Sequence, residues 1–492
     1  MFAASAAAQA GRDVRIPAVA GQFYPSDPKA LRQAITQFLE EAVSVQVRGA
    51  VGLIVPHAGY AYSGQICADG YRQVRGLSPD VVVLLGTNHT TGGFGGVSLY
   101  DRGAFRTPLG DAQVEESLAS ALLAEGKGWN ADRSVHLREH SVEVQVPFIQ
   151  VVFPRARILP MVVGAGDPGH LGRLGEALAR ALRGRRALIV ASSDLSHYPA
   201  YADANRVDRE TLVAMAALDP AGFGSAVERI MRRNIPNLDT CACGEAPIMV
   251  ALAAAKAMGA REARVVSYAN SGDALIGDKG RVVGYGAAVL CSGSQSPAVR
   301  EGPATDSGAP LLGLRDKKAL LVFARTSLER YLTSQTIPLA RGLSARLQVP
   351  QGAFVTIKKQ GQLRGCIGHM ASDTPLGQTV GAMTLQAALH DPRFRPLQHS
   401  EFPEVEIEIS VLTPYRQIAS ASEIQVGRDG VILIKGGRSA VFLPQVAVEN
   451  GWDYPELLDN LCLKAGLPAG SWKEGARLLV FQADVFSEEE LR

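Results

Sequence analysis

The chain is short of cysteine, of long apolar runs and of charge imbalance, and each shortage excludes a class of protein. Only six cysteines, Cys67, Cys241, Cys243, Cys291, Cys366 and Cys462, occur in 492 residues. That is too sparse for a disulfide framework; it suits a reducing compartment, with thiols left for metal binding or chemistry, so a cytoplasmic location is expected. No window reaches about 18 consecutive apolar residues, so no membrane partner is expected. The 50 Lys+Arg and 48 Asp+Glu leave a net charge of +2 with no basic stripe, which argues against nucleic acid as a partner. The Ala-rich start lacks the basic and strongly apolar regions of a signal peptide, and residues 1–15 read as a disordered tail.

What is present is globular: 47% hydrophobic and 20% charged residues. At roughly 100–200 residues per domain, two to four domains are expected. A Ser-, Gly- and Pro-rich stretch, CSGSQSPAVREGPATDSGAP at Cys291–Pro310, separates two regions of ordinary periodicity. The reading is a domain over 16–291, a linker over 292–312 and a domain over 313–492.

The first region alternates β-rich runs with helical stretches. Strands are predicted at Val51–Val55, Val81–Leu85, Ile158–Val163, Ala187–Ala191, Ala263–Ala269 and Val282–Leu290. Helices are predicted at Pro28–Val43, Asp111–Glu125, Leu171–Leu182, Asn205–Ala217 and Glu245–Met258. That order predicts an α/β domain, a central sheet sandwiched by helices. The second region opens with a helix at Lys317–Ser334, followed by strands at Ala353–Lys359, Glu404–Thr413 and Gly430–Ile434. Val405, Ile407 and Ile409 alternate with Glu404, Glu406 and Glu408, the pattern of a half-solvated strand, so an α+β domain is expected.

Three apolar strands run directly into polar loops: PHAGY after Val55, GTNH after Leu85 and SSDLSHY after Ala191. Ligands of open α/β sheets bind beyond the carboxyl ends of strands, so these loops are expected to converge. One histidine after a strand is usually a structural, hydrogen-bonded residue; His57, His89 and His197 in the same topological position argue for a site. A fourth loop brings Cys241 and Cys243 to the start of a helix, where the macrodipole favours a thiolate. Two residues apart, these cysteines are too close for a zinc-ribbon pair, so one ligand is expected. In EHSVEVQ, His140 and Glu143 share a helical face at i, i+3 and are expected beside the metal or substrate, or else form a helix start with an acidic first turn.

Together, PHAGYAYSG at Pro56–Gly64, LGTNHT at Leu85–Thr90, EHSVEVQVPF at Glu139–Phe148, SSDLSHY at Ser192–Tyr198 and CGEAPI at Cys243–Ile248 resemble the Memo family, from about Ile16 to Leu290. The resemblance implies a fold like that of the class III extradiol dioxygenases, which hold non-haem iron with two His and one Glu and use another His as base. It implies His57, His89 and Cys243 as metal ligands and His197 as the acid/base residue, with Asp194 and Tyr60 around them. A cysteine here replaces the carboxylate ligand. A thiolate is softer and admits copper or zinc as well as iron, so ring cleavage does not follow from the fold.

In the second region Cys366 lies in QLRGCIG, near Lys358, Lys359 and Arg364. Those cations would make it a nucleophile or redox centre; otherwise it is a buried cysteine in a tight turn. His390, in HDPRF, either pairs with it or caps a helix. GGRSA at Gly436–Ala440 lacks the Gly-Lys-Ser/Thr ending of a phosphate loop. LRGCIG, HDPRF, EVEIEISVLTP, GRDGVIL and FLPQVAVENGW resemble the AMMECR-type domain over roughly Lys317–Leu491. That resemblance implies an AmmeMemoRadiSam protein acting with a radical S-adenosylmethionine (radical SAM) protein. The chain lacks the C-x-x-x-C-x-x-C cluster motif, so that partner is expected to be a separate chain. The functional expectation is a metal-binding, redox or dioxygenase-like protein acting on a small-molecule or peptide substrate. Two rivals are a non-catalytic binding module, its pocket lined by Tyr24, Tyr60, Tyr62 and Tyr198, and a scaffold of a modification complex.

Overall fold

The computed structural model describes residues 13–45, 47–126, 128–273, 278–294, 312–369 and 374–491. Residues 1–12 of the expected tail and 295–311 of the expected linker lie outside the described residues. The chain divides into two compact units, Met1–Arg300 with Thr333–Ile337, and Glu301–Leu332 with Pro338–Arg492. No helix among the described residues is long and apolar enough to cross a membrane.

The first unit is built on an eight-stranded sheet. In chain order its strands are β1 (Gly52–Val55), β2 (Val81–Thr87), β3 (Val97–Leu99), β4 (Trp129–Asn130), β5 (Arg157–Val163), β6 (Ala187–Ser192), β7 (Glu262–Asn270) and β8 (Gly284–Cys291). Their order across the sheet is β7-β8-β1-β6-β2-β5-β3-β4. The four central strands, β1, β6, β2 and β5, are parallel, and β8 runs antiparallel to β1. All seven residues of VVVLLGT in β2 are buried, as a parallel strand covered on both faces requires. Val81, Val83 and Leu85 enter a core with helices Pro168–Ala181 and Glu245–Ala257 on one face. Helix Tyr60–Arg72 covers β1, β7 and β8.

Two details depart from the periodicity. The helix expected from Asp111 begins at Glu116, because Gly110–Gln113 pairs as a hairpin strand with Ala104–Thr107. Val14–Arg15, placed in the tail by composition, forms a strand on that hairpin, and Arg15 is buried.

The second unit is α+β, with two four-stranded sheets. Ala353–Lys359 lies between Gln362–His369 and Val405–Leu412, with Ala483–Ser487 completing that sheet. Val405, Ile407 and Ile409 are buried and Glu406 and Glu408 only partly so, as the alternation predicts. The other sheet orders Arg416–Ile418, Arg477–Phe481, Gly430–Lys435 and Arg438–Phe442.

Candidate metal site

The register Val55↔Ser192 and Leu85↔Ala191 brings β1, β6 and β2 to an end at one level, so their loops emerge side by side. His57 follows β1, His89 follows β2, and Asp194 follows β6. Cys243 arrives from the N-terminus of helix Glu245–Ala257. Gly244 makes that approach possible: a Cβ there would lie 2.6 Å from the Ser193 Cβ and 2.7 Å from the Ser192 carbonyl oxygen. Its N–H donates to Ser193 Oγ at 2.9 Å.

Ligand atoms of His57, His89 and Cys243 all lie within 4.8 Å of one another. Cys243 Sγ is 3.2 Å from His57 Nε2, and the His57 and His89 rings meet edge-on with centroids 5.1 Å apart. His89 is the more open of the two histidines, and its Nδ1 lies 2.9 Å from Glu139 Oε1. The other oxygen of Glu139 accepts the His89 backbone N–H at 2.7 Å. A carboxylate only accepts, so His89 carries a hydrogen on Nδ1, the arrangement by which carboxylates orient metal-binding imidazoles. Glu139 caps the single helical turn His140–Glu143 and accepts Ser141 N–H as well. His140 stacks on His89 with ring centroids 4.5 Å apart. A second trio, His89, Glu139 and His140, is equally compact.

Electrostatics match this geometry. Burial holds His57 well below its usual range, helped by His89 and His140, so the ring is neutral. Burial alone would raise Glu139, but hydrogen bonds from the His89 ring, Ser141 N–H and His89 N–H bring it down to about 2. Burial pushes the Cys243 thiol well up, and the Asp194 carboxylate adds to this. The helix N-terminus therefore does not make a thiolate here, contrary to the expectation from sequence; a cation would have to supply the stabilising charge. Asp194 is itself raised by burial, opposed by His197 and by hydrogen bonds from the His57 and Ala58 backbone N–H groups.

His197 sits on the β6 loop, close enough for its charge to act on both His57 and Asp194. Its Nδ1 lies 3.0 Å from the Leu195 carbonyl oxygen, an acceptor, so Nδ1 carries a hydrogen. Its backbone is held on both sides, N–H to Thr240 O and C=O from Asp239 N–H. The next residue, Tyr198, is left-handed at φ 72°.

Glu143 and Tyr60 do not join the site. Glu143 is fully buried and turns away, pairing with Arg15 at 2.6 Å and accepting from Tyr24 OH, Ala18 N–H and Val19 N–H. The i, i+3 rule places His140 and Glu143 on one face, but the helix His140–Glu143 is only one turn long and the buried Arg15 draws Glu143 off. Tyr60 is buried and donates to the Val144 carbonyl at 2.7 Å. Tyr24 is buried beside it, the two ring centroids 5.6 Å apart. Tyr62 is exposed, and Tyr198 lies under the Arg281 guanidinium. Glu139, Ser192 and Gln145 are the site residues that sequence reasoning missed. A cavity of about 760 Å³ opens onto His89 and Cys243, lined also by Thr87, Thr91, Phe94 and Met249.

In the second unit Cys366 is half-buried in strand Gln362–His369; the turn is at Gln360–Gly361. The expected activators are neutralised elsewhere. Lys358 pairs with Glu408, Lys359 with Glu401 and Glu404, and Arg364 with Glu401. The Cys366 sulfur accepts from Thr356 Oγ1 at 3.3 Å, and its backbone N–H donates to buried Asp391. His390 ends the helix Leu376–Leu389 and is exposed. The glycines of LRGCIG serve packing: a Cβ on Gly365 would stand 2.1 Å from the Ala387 carbonyl oxygen.

Residues 15–289 match the family described as Memo-like protein, and residues 321–486 match AMMECR1. The chain is 36% identical over 291 residues to a MEMO1 family protein of Methanopyrus kandleri, covering 57% of this chain and 99% of that protein. It is 38% identical over 282 residues to one of Methanothermobacter thermautotrophicus, covering 55% and 98%. Among solved structures, it is similar to an uncharacterized protein from Pyrococcus horikoshii, at 36% identity and TM-score 0.35, covering 36% of this chain and 94% of that one. An uncharacterized protein from Escherichia coli K12 matches at 12% identity and TM-score 0.32, covering 48% and 99%.

Proposed function

We propose, from the premise that this chain belongs to the Memo-like family and carries an AMMECR1 domain C-terminal to it, that the N-terminal domain is a metal-dependent redox protein. Its ligands are His57, His89 and Cys243, and the observation that carries the reading is their mutual approach within 4.8 Å. Two imidazoles and a thiol suit iron, copper or zinc. Bound there, such an ion supplies Lewis acidity and, for iron or copper, redox chemistry.

The chain's own residues prepare the site. Burial keeps His57 unprotonated, so its lone pair is not lost to a proton. Glu139 aims His89, and Cys243 would bind a cation as the thiolate, its proton passing to solvent. The cavity beside His89 and Cys243 admits a small molecule or a peptide side chain. His197, its Nδ1–H committed to Leu195 O, accepts or returns a substrate proton at Nε2. The AMMECR1 domain serves as a docking surface, and a cytoplasmic radical SAM protein is the proposed partner. Elemental analysis of anaerobically purified full-length protein tests this reading. About one iron or copper per chain, reduced severalfold in Cys243→Ala, is expected. Metal-free protein that takes up none on titration would overturn it.

A further inference from the structure

Ser192, the last residue of β6, is buried and stands behind His57 rather than in front of it. Its Oγ has three partners: the Ser141 carbonyl oxygen at 2.6 Å, Gln145 Nε2 at 2.9 Å and His57 Nδ1 at 3.1 Å. A hydroxyl has one hydrogen and two lone pairs, so these contacts can be assigned one at a time.

Gln145 comes first. The end of its amide that faces Ser192 also lies 2.8 Å from the Pro56 carbonyl oxygen. A carbonyl can only accept, so that end is the NH2 group, with one hydrogen on Pro56 and one on Ser192. Its oxygen then faces the hydroxyl of Tyr71 and the thiol of Cys67, both able to donate. Ser192 Oγ therefore accepts from Gln145. Its single hydrogen must go to the Ser141 carbonyl, which again can only accept. One lone pair remains, and it faces His57 Nδ1, which is thus the protonated nitrogen of a neutral ring.

We propose that Ser192, oriented by Gln145, is a positioning residue that holds His57 in its Nδ1–H form and so turns a bare Nε2 toward the Cys243 sulfur. His89 reaches the same form by another route, through the Glu139 carboxylate. Ligand atoms of the two rings and of Cys243 all lie within 4.8 Å of one another. The difference is physical: Glu139 is charged and strengthens its imidazole as a ligand, whereas Ser192 is neutral and supplies direction only.

The importance of this for metal binding rests on the function proposed above; the tautomer does not. The test uses metal-free full-length protein labelled with 15N at histidine, the His57 ring being assigned through its backbone. A protonated-type shift at Nδ1 and a bare-type shift at Nε2 are expected. The reverse pattern in the unaltered chain overturns the proposal, without any variant having to fold. In Ser192→Ala the ring should move toward the Nε2–H form, and Zn2+ should bind about 10- to 100-fold more weakly. An unchanged tautomer and unchanged Zn2+ affinity in that variant would remove Ser192 from the role. A chain with the Nδ1–H form that bound no Zn2+ would overturn the proposed function and leave this assignment standing.

Discussion

Replacing Glu143 separates a clamp from a site residue. Its carboxylate accepts four hydrogen bonds, from Arg15 Nη1 and Tyr24 OH at 2.6 Å, Ala18 N–H at 2.8 Å and Val19 N–H at 3.0 Å. Neither Arg15 nor Glu143 is more than 2% exposed. In Glu143→Ala the guanidinium keeps the carbonyls of His136 and Glu139 but loses the carboxylate opposite it. Removing one partner of a buried pair costs about 3–5 kcal/mol. At about 2–4 °C per kcal/mol, the unfolding transition of the N-terminal domain should fall by about 6–20 °C. Glu143→Gln keeps the shape but presents an NH2 group to donors, and should fall between wild type and Glu143→Ala. The assay is calorimetry with a chelator present, so that metal binding does not contribute to the midpoint. A midpoint within about 2 °C of wild type would refute the clamp. Loss of metal binding at unchanged stability would return Glu143 to the site, where the sequence placed it.

Other outcomes follow from the same reasoning. Burial raises Asp208 to about 6 against hydrogen bonds from Ser196 N–H and Tyr268 OH, so the folded chain holds a proton that the unfolded chain releases near pH 4. Its contribution to stability is present below about pH 4 and is lost as pH rises to 6, by roughly 3 kcal/mol. Urea unfolding of Asp208→Asn should lack that slope; an unchanged slope contradicts the assignment. Cys243 must lose a proton to bind a metal, so Zn2+ affinity should rise about tenfold per pH unit between pH 7 and 9, and a pH-independent affinity would exclude the thiol. Gly365→Ala should destabilise the C-terminal domain by about 1–3 kcal/mol, because the new Cβ meets the Ala387 carbonyl. Cys366→Ser should leave it within about 1 kcal/mol of wild type; the opposite ranking would show that the sulfur, not the glycines, gives LRGCIG its importance.

The sheet and the converging loops were legible because buried parallel strands read as unbroken apolar runs, and polar residues appear where such runs stop. His57, His89 and His197 were singled out that way, whereas Cys243 rather than Cys241 was implied by the resemblance to the Memo family. Helix Tyr60–Arg72 was not read, since Gly64 and Gly70 look like breakers in its sequence. Both are there for packing: a Cβ on either would come within 2.6 Å of Phe38 or Val55. Glu139 was passed over because a Glu at a helix start is ordinarily a cap, which it also is. Its bond to His89 spans 50 residues, and the pull of Arg15 on Glu143 spans 128. Neither pairing is written in local spacing. The surroundings of Cys366 were hidden for the same reason, since the sequence lists charges without showing that Glu401, Glu404 and Glu408 pair with Lys358, Lys359 and Arg364.

X-ray absorption on full-length protein loaded with one equivalent of Zn2+ asks directly whether His57, His89 and Cys243 hold one ion together. One sulfur neighbour at about 2.3 Å and two imidazole nitrogens at about 2.0–2.1 Å are expected, with the sulfur signal lost in Cys243→Ala. A shell of nitrogen and oxygen alone in the unaltered chain would contradict that arrangement.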